Sequence, residues 1–271
     1  MPNRLLSMLA AAAVLMGAPR TSMAQQPPDL SDYSVLGVES VTLKPQARVV
    51  AGAVGALNGT VTLRRAARIA GTVVAATIRI APETRVGRVF CGVVIGRSPL
   101  PTCIAPPNPV LDPALLPPVS VVPGGDDLIV PPRSGMAPVA AGSFDEVIVG
   151  RGGLLTLSGG DYAARSIRVG AGGQLVCDEA CHIGVAESVS LGARAELGAR
   201  GGLNPRNVRI DVGGGAEPPA FKGRARSAVV GTIYAPGGLV RLGRRGTYRG
   251  AFIGTVVNVG PGAQVRAGSA L

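Results

Sequence analysis

A nine-residue phrase recurs along the chain: apolar, any residue, apolar, three turn-like residues, a small residue, any residue, apolar. In the first half it appears as Val41-Thr-Leu43 with Ala47 and Val49, Val61-Thr-Leu63 with Ala67 and Ile69, and Ile78-Arg-Ile80 with Thr84 and Val86. The second half has Val147-Ile-Val149 with Gly153 and Leu155, Ile167-Arg-Val169 with Gly173 and Leu175, and Val189-Ser-Leu191 with Ala195 and Leu197. Val240-Arg-Leu242 with Gly246 and Tyr248, and Val257-Asn-Val259 with Ala263 and Val265, complete the set. Alternation puts the apolar pair on one face of a strand. The next three residues turn the chain, the small residue admits a close backbone, and the last apolar residue points inward again. All five second-half copies open the turn with Gly (Gly150, Gly170, Gly192, Gly243 and Gly260), which is expected to supply the left-handed conformation of a sharp corner.

Adjacent copies start 20 and 17 residues apart in the first half, then 20, 22, 51 and 17 apart in the second. The gap of 51 holds a weaker coil, Val208-Arg-Ile210-Asp-Val212, and the stretch Val229 to Tyr234. A period of 17–22 is one turn of a parallel β-helix, in which each turn stacks on another. Sustained 3.6-residue periodicity is absent, and a β-sandwich or barrel gives no reason for one phrase to return eight times. The expected fold is therefore all-β: a single-stranded parallel β-helix of eight to ten coils, a rod ~40–50 Å long at ~4.8 Å per coil. Left-handed forms carry a strict six-residue repeat, which is missing, so a right-handed coil is expected. Val41, Val61 and Ile78 should stack, and Val240 and Val257 should share a face.

Residues 99–138 contain 12 of the 23 Pro. Pro cannot donate to a ladder, so this stretch leaves the coil. Its apolar residues, among them Leu115, Leu116, Val121 and Val122, predict an extended segment lying on the solenoid. The expected organisation is a signal peptide over 1–24, coils over 25–98, the Pro-rich excursion over 99–143 and coils over 144–271, with 25–271 one continuous domain. Outward positions in most copies are polar, but Ile148 and Leu154 are apolar, and the Pro-rich segment is expected to cover them.

Composition narrows the chemistry. A hydrophobic fraction of 46% excludes wholesale disorder despite 40 Gly, and Gly without a three-residue period excludes collagen. There is no Trp, and only four Phe, four Tyr and one His. That disfavours aromatic-lined pockets, base-stacking platforms and His-based metal or triad sites. Arg4, the apolar stretch Leu5 to Met16 and Ser22-Met23-Ala24 match the n-region, h-region and cleavage site of an export signal. Export to a periplasmic, cell-surface or extracellular location makes disulfides the expected state of the four cysteines, with Cys91–Cys103 and Cys177–Cys181 favoured by proximity. The competing reading is a metal site from Cys177, Asp178, Cys181 and His182, which lacks the usual ligand spacing.

No catalytic residue, metal or cofactor is expected. His182 reads as a turn residue, and the nearest carboxylate pairs, Asp126-Asp127 and Asp145-Glu146, sit in or beside turns, where Asp is favoured anyway. Removing residues 1–24 removes Arg4 and Arg20 and no acid, which lowers the formal charge from +11 to +9. Lys occurs only at Lys44 and Lys222, so the cations are nearly all Arg, suited to carboxylate and phosphate groups. Arg64, Arg65 and Arg79, with Arg85 and Arg88, form one candidate anion-binding stripe; Arg241, Arg244 and Arg245, with Arg249, form another. Anionic cell-surface polysaccharide or lipid headgroups are the expected partners, with self-association through coil ends; export and scarce aromatics disfavour nucleic acid. Past the export signal, no stretch is long and apolar enough for a membrane helix.

The phrases Arg48-Val-Val-Ala-Gly-Ala-Val, Arg68-Ile-Ala-Gly-Thr-Val and Arg85-Val-Gly-Arg-Val resemble the coils of bactofilins, polymer-forming bacterial β-helix proteins. Gly231-Thr-Ile-Tyr-Ala-Pro-Gly-Gly and Tyr248-Arg-Gly-Ala-Phe-Ile-Gly resemble an exported type of bacterial β-helix protein from surface and pilus-associated contexts. Bactofilins lack a signal peptide, so their cytoskeletal role does not carry over; both resemblances imply a structural or adhesive protein and supply no catalytic residue. The leading expectation is a non-enzymatic surface, matrix or adhesion component. A β-helix polysaccharide lyase or hydrolase is the alternative. Ice binding, which favours regular Thr ladders, ranks last because Arg79 interrupts the Thr42, Thr62 column.

Overall fold

A computed structural model describes residues 30–96, 99–104 and 116–268, so the expected signal peptide lies outside the described residues. The chain forms a parallel β-solenoid of about eleven turns. Its strands make one 13-stranded and one 9-stranded sheet, and every named strand pair is parallel. Register shifts at Gly37/Ser40, Ala164/Ser166 and Ala235/Leu239 bend the larger sheet, so each coil presents three faces. In the coil starting at Tyr33 the first face is Tyr33–Gly37, the second Ser40–Leu43 and the third Arg48–Ala51.

The inward side chains form three continuous columns. On the second face the column runs Leu128, Val147, Ile167, Val189, Phe221, Val240, Val257, Val41, Val61, Ile78 and Val94, each in register with the next. All eight starting residues of the repeated phrase lie on it. The third-face column runs from Leu155 through Leu175, Leu197, Val229, Tyr248, Val265, Val49 and Ile69 to Val86. A spacing of two within strands, repeated once per coil, produces these columns; burial of each Val, Leu or Ile contributes about 1.5–3 kcal/mol.

The coil of the long gap is complete. It is built from Val208–Val212, Phe221–Gly223 and Ala228–Val230, with an insertion between its first two faces. The phrase is hidden there because Gly223 stands at the second apolar position and Arg224 opens the turn in place of Gly.

Chain order and spatial order differ. The coils from Tyr33 to Gly96 stack in one direction, and the chain then crosses to the opposite end of the rod at Leu128–Val130. From there it coils back until Phe252–Val259 lies against Tyr33–Leu43. The Pro-rich stretch makes the crossing because it cannot supply ladder donors. Its described residues lie along the outer side of the first face as a strap: Ile104 bridges Phe90, the Pro117 carbonyl accepts a hydrogen bond from the Tyr234 hydroxyl at 2.7 Å, and the Gly124 N–H donates to the Phe144 carbonyl at 3.0 Å.

The strap covers an apolar surface, though not the expected one. Outward residues Leu36, Val74, Phe90, Ile253 and Tyr234 are buried in a second cluster, with Ile104, Leu116 and Val119 packed on it. Further along, Val121 lies where a Cβ on Gly184 would come within 3.0 Å of it. Ile148 and Leu154 are instead half-buried, Ile148 in the wall of a groove on the second face and Leu154 beside an isolated bridge to Gly135.

The corner between second and third faces works differently from expectation. The opening glycines do not adopt the left-handed conformation; they admit the neighbouring coil, since a Cβ on Gly192 would lie 2.5 Å from the Ala171 nitrogen. The left-handed residue is the third of the turn, Gly at 152, 172 and 262 but Arg at 133, 194, 226 and 245. Its N–H donates to the second turn residue of the next coil, as in Arg133 to Arg151 (2.9 Å), Arg194 to Ala225 (3.0 Å) and Gly262 to Pro45 (3.0 Å). Nine such bonds run along the corner from Arg133 to Pro82 and cross the junction between the two halves.

A cationic trough along one corner

Where that corner passes through the C-terminal coils, it is hollowed into a groove of about 650 Å³. Its floor is Gly152, Ala171, Gly172, Ala193 and Ala225, and its flanks are Arg133, Arg151, Arg194, Arg226, Arg244 and Arg245. The lining contains no other residue type. The hollow arises because the second turn residue shrinks to Ala in the three middle rows (Ala171, Ala193 and Ala225) and the third is Gly at 152 and 172, while Arg flanks the rest. A second groove of about 490 Å³ adjoins it across Ala171 and Ala193 and adds Arg168 and Arg224.

The six flanking Arg side chains are exposed, and none forms an ion pair among the described residues. Six coils separate Arg133 from Arg245 inclusively, a length of ~24 Å at ~4.8 Å per coil. The floor amides of the third turn residues are committed to the corner ladder. An anion in the trough is therefore held by guanidinium groups, each able to offer two parallel N–H donors to a carboxylate, sulfate or phosphate. With no carboxylate, imidazole, hydroxyl or thiol in the lining, the trough has nothing to move a proton or attack a bond.

The sequence-derived candidates divide between three places. Arg244 and Arg245 flank the trough. Arg241 lies on the outer side of the second face, in the column Ile129, Ile148, Arg168, Ser190, Lys222, Arg241, Asn258, Thr42, Thr62, Arg79 and Ile95. Asn258, Thr42 and Thr62 thus stand between Arg241 and Arg79, and the two stripes do not meet on this face. Arg64 and Arg79 line a shallow hollow at the far end with Thr62 and Ile95. Arg65 is held by Glu83 at 2.8 Å. Arg133, Arg151, Arg194 and Arg226 escaped notice, although superposing the turns of the repeat would have put them beside Arg244 and Arg245.

The carboxylate pairs singled out from the sequence lie away from the trough. Arg165 binds Asp145 at 2.6 Å and Glu146 at 3.1 Å, and the hydrogen bond from Arg165 holds the Asp145 carboxyl below the usual carboxylate range. Asp127 accepts the Glu146 N–H at 3.0 Å. His182 sits between Asp161 (3.3 Å) and Asp211 (3.0 Å) on the outer side of the first face. Cys91–Cys103 and Cys177–Cys181 are disulfides, so neither cysteine of the second pair is free for a metal. Beneath the trough, the buried Tyr248 hydroxyl accepts the Gly243 N–H and contacts Ser227 Oγ at 3.0 Å; burial pushes its pKa up.

No family model matches the chain, and no curated protein matches it, so the resemblance to bactofilins stands on the N-terminal coil phrases alone. Among solved structures, the chain is similar to an ice-binding protein from an Antarctic biological consortium. The two share 15% identity over 93% of this chain and 96% of that one, with a TM-score of 0.50. An ice-binding protein from an Antarctic bacterium, Flavobacteriaceae, matches at 9% identity over 89% and 99% of the two chains, with a TM-score of 0.30. At this identity the first likeness shows a shared solenoid fold. Among the described residues, no helix is long and apolar enough to cross a membrane.

Proposed function

We propose that this is an exported, non-enzymatic solenoid of the cell surface or extracellular matrix that holds an anionic polymer in the corner trough. One observation carries the reading. Four of the seven non-Gly residues with positive φ are the trough residues Arg133, Arg194, Arg226 and Arg245, at φ 53–59°. Gly takes this conformation without penalty in sister coils, whereas an L side chain costs about 1–2 kcal/mol there. A cation is thus kept repeatedly where backbone conformation disfavours it, in a groove with no acid to neutralise it. The two disulfides and the sequence of residues 1–24 support export.

Ice binding, named for the structural neighbours, gains no support from the outer column of the second face. Thr occupies only two successive rows of it, and Arg or Lys occupies four. A lyase or hydrolase would need acid–base groups that the trough lacks.

The test uses the disulfide-intact protein from residue 25 onward with polygalacturonate and dextran sulfate. Binding is expected to weaken steeply with salt and to fall about tenfold or more in the Arg194→Gly/Arg226→Gly/Arg245→Gly variant, with neither polymer shortened. Equal binding by the variant, or saturable turnover of either polymer, would overturn the reading. Sedimentation of the same preparation tests the expected self-association through coil ends.

A further inference from the structure

The trough ends at Arg245, but the free cations continue on the third face. Arg85, Arg68 and Arg48 stand in register in three successive coils. The next coil places Gln264 opposite Arg48 and Arg266 opposite Ala51, and the one after places Arg249 opposite Arg266. All five Arg are exposed outward residues, and none is in an ion pair among the described residues. Arg249 belongs to the same coil as Arg244 and Arg245. The strip therefore starts in the coil where the trough stops, at the far end of its third face, and shifts to the near end of that face at Arg48 as it crosses the junction at which the two halves of the chain meet.

Like charges placed directly opposite in a sheet repel. A spacing of ~4.8 Å lies well inside the ~8 Å Debye length of physiological salt, so solvent does not remove the repulsion. The bare strip works against its own fold, and an aligned row of anions would relieve it.

We propose that trough and strip form one track for a single linear acidic polysaccharide, with a guanidinium offered by nine of its ten coils, all but the one that places Ala171 and Gly172 on the trough floor. This rests on the reading of the trough as an anion site. An extended chain of six-membered sugar rings advances by close to one coil rise per residue, so the acidic groups that turn toward the protein recur in step with the Arg-bearing rungs. The phosphates of a B-form strand rise by only ~3.4 Å each along the helix axis and fall out of step, and no aromatic side chain lines the trough for bases to stack on. A lipid surface does not fit either, because half of the track is a concave groove. Ten coils separate Arg133 from Arg85 inclusively, a track of ~43 Å. The ligand is accordingly a long chain, and the strip acts as a second binding module tethered to the first.

The experiment compares two homogalacturonan oligomers, one of about five sugars that fills the trough and one of about ten that spans the track at ~4.8 Å each. Wild type is expected to bind the longer oligomer at least about tenfold more tightly. Arg48→Gln/Arg68→Gln/Arg85→Gln should bind the shorter one as wild type does, lose the gain for the longer one, and melt at a higher temperature in low salt. Arg194→Gly/Arg226→Gly/Arg245→Gly should lose the shorter one. Full gain retained by the strip variant, or no length dependence in wild type, overturns the single track while leaving the trough reading standing. Failure of wild type to bind either oligomer overturns both. Binding to phosphatidylglycerol vesicles that the strip variant abolishes would assign the strip to a lipid surface and sink the proposal.

Discussion

The four coils from Tyr33 to Gly96 and the seven from Leu128 to Arg266 share one interior and differ in almost everything outside it. Both fill the same three columns, and Val41 on Val257 continues the core with no change of register. Outside, the greasy first face under the strap spans the N-terminal coils and the two adjoining C-terminal coils of Tyr234 and Ile253, whereas the C-terminal coils beyond them carry Asp211, Gly184, Ala163 and Ser143 in the same outward column. At the corner, the left-handed residue is Gln46, Ala66 or Glu83 in the N-terminal coils and Gly or Arg in the C-terminal ones. The inward phrase is a packing requirement that each coil must meet. The outward positions escape it, so each half can hold a different surface on one scaffold.

The sharpest way to break this comparison is to damage the column the halves share. Val257→Asp puts a charge into a fully buried row and is expected to cost at least about 4 kcal/mol and unfold both halves in one denaturant transition. Val94→Asp, in the partly buried end row, should cost below about 2 kcal/mol. Separate transitions for the two halves in Val257→Asp would show that they fold independently. Next comes Tyr248→Phe, which strips the Gly243 N–H of its acceptor and should lower stability by about 1–3 kcal/mol in the same titration.

A smaller effect separates function from fold at the corner. Arg226→Gly in the trough and Ala66→Gly in the N-terminal half should each leave stability unchanged or raise it, by up to about 1 kcal/mol. Only Arg226→Gly should weaken polyanion binding. The smallest effect concerns Asp145, whose carboxyl is held below its usual range by Arg165. Its contribution is present above the unfolded value of about 3.9 and is lost as pH falls through the lower folded value. The melting difference between wild type and Asp145→Asn should therefore be largest near neutrality and vanish in strong acid.

Much of this molecule was legible in its sequence. The eight phrases named eight of the eleven residues of the second-face column, all but Leu128, Phe221 and Val94, because a solenoid asks every coil for the same inward side chains at the same offset. Both disulfides followed from spacing. The order of the rows was not legible, since β pairing is satisfied equally by the preceding coil or by one more than 200 residues away, and nothing local in Val41 distinguishes Val61 from Val257 as a neighbour. The trough was half visible. Arg244 and Arg245 stand out as a pair, whereas Arg133, Arg194 and Arg226 are single residues whose shared place appears only when the turns are laid over one another. The left-handed position was misassigned to the opening Gly because close approach and positive φ select the same residue.

The strand Tyr33–Leu43 holds a neighbour on both sides, and one of these, Phe252–Val259, is among the final segments of the described chain. The coil made first is thus among the last to be completed. Until residues near 257 emerge, the earlier coils offer an unfinished sheet edge that any passing extended segment can occupy. Clipping those final residues would leave two raw edges at the middle of the rod, one on each half.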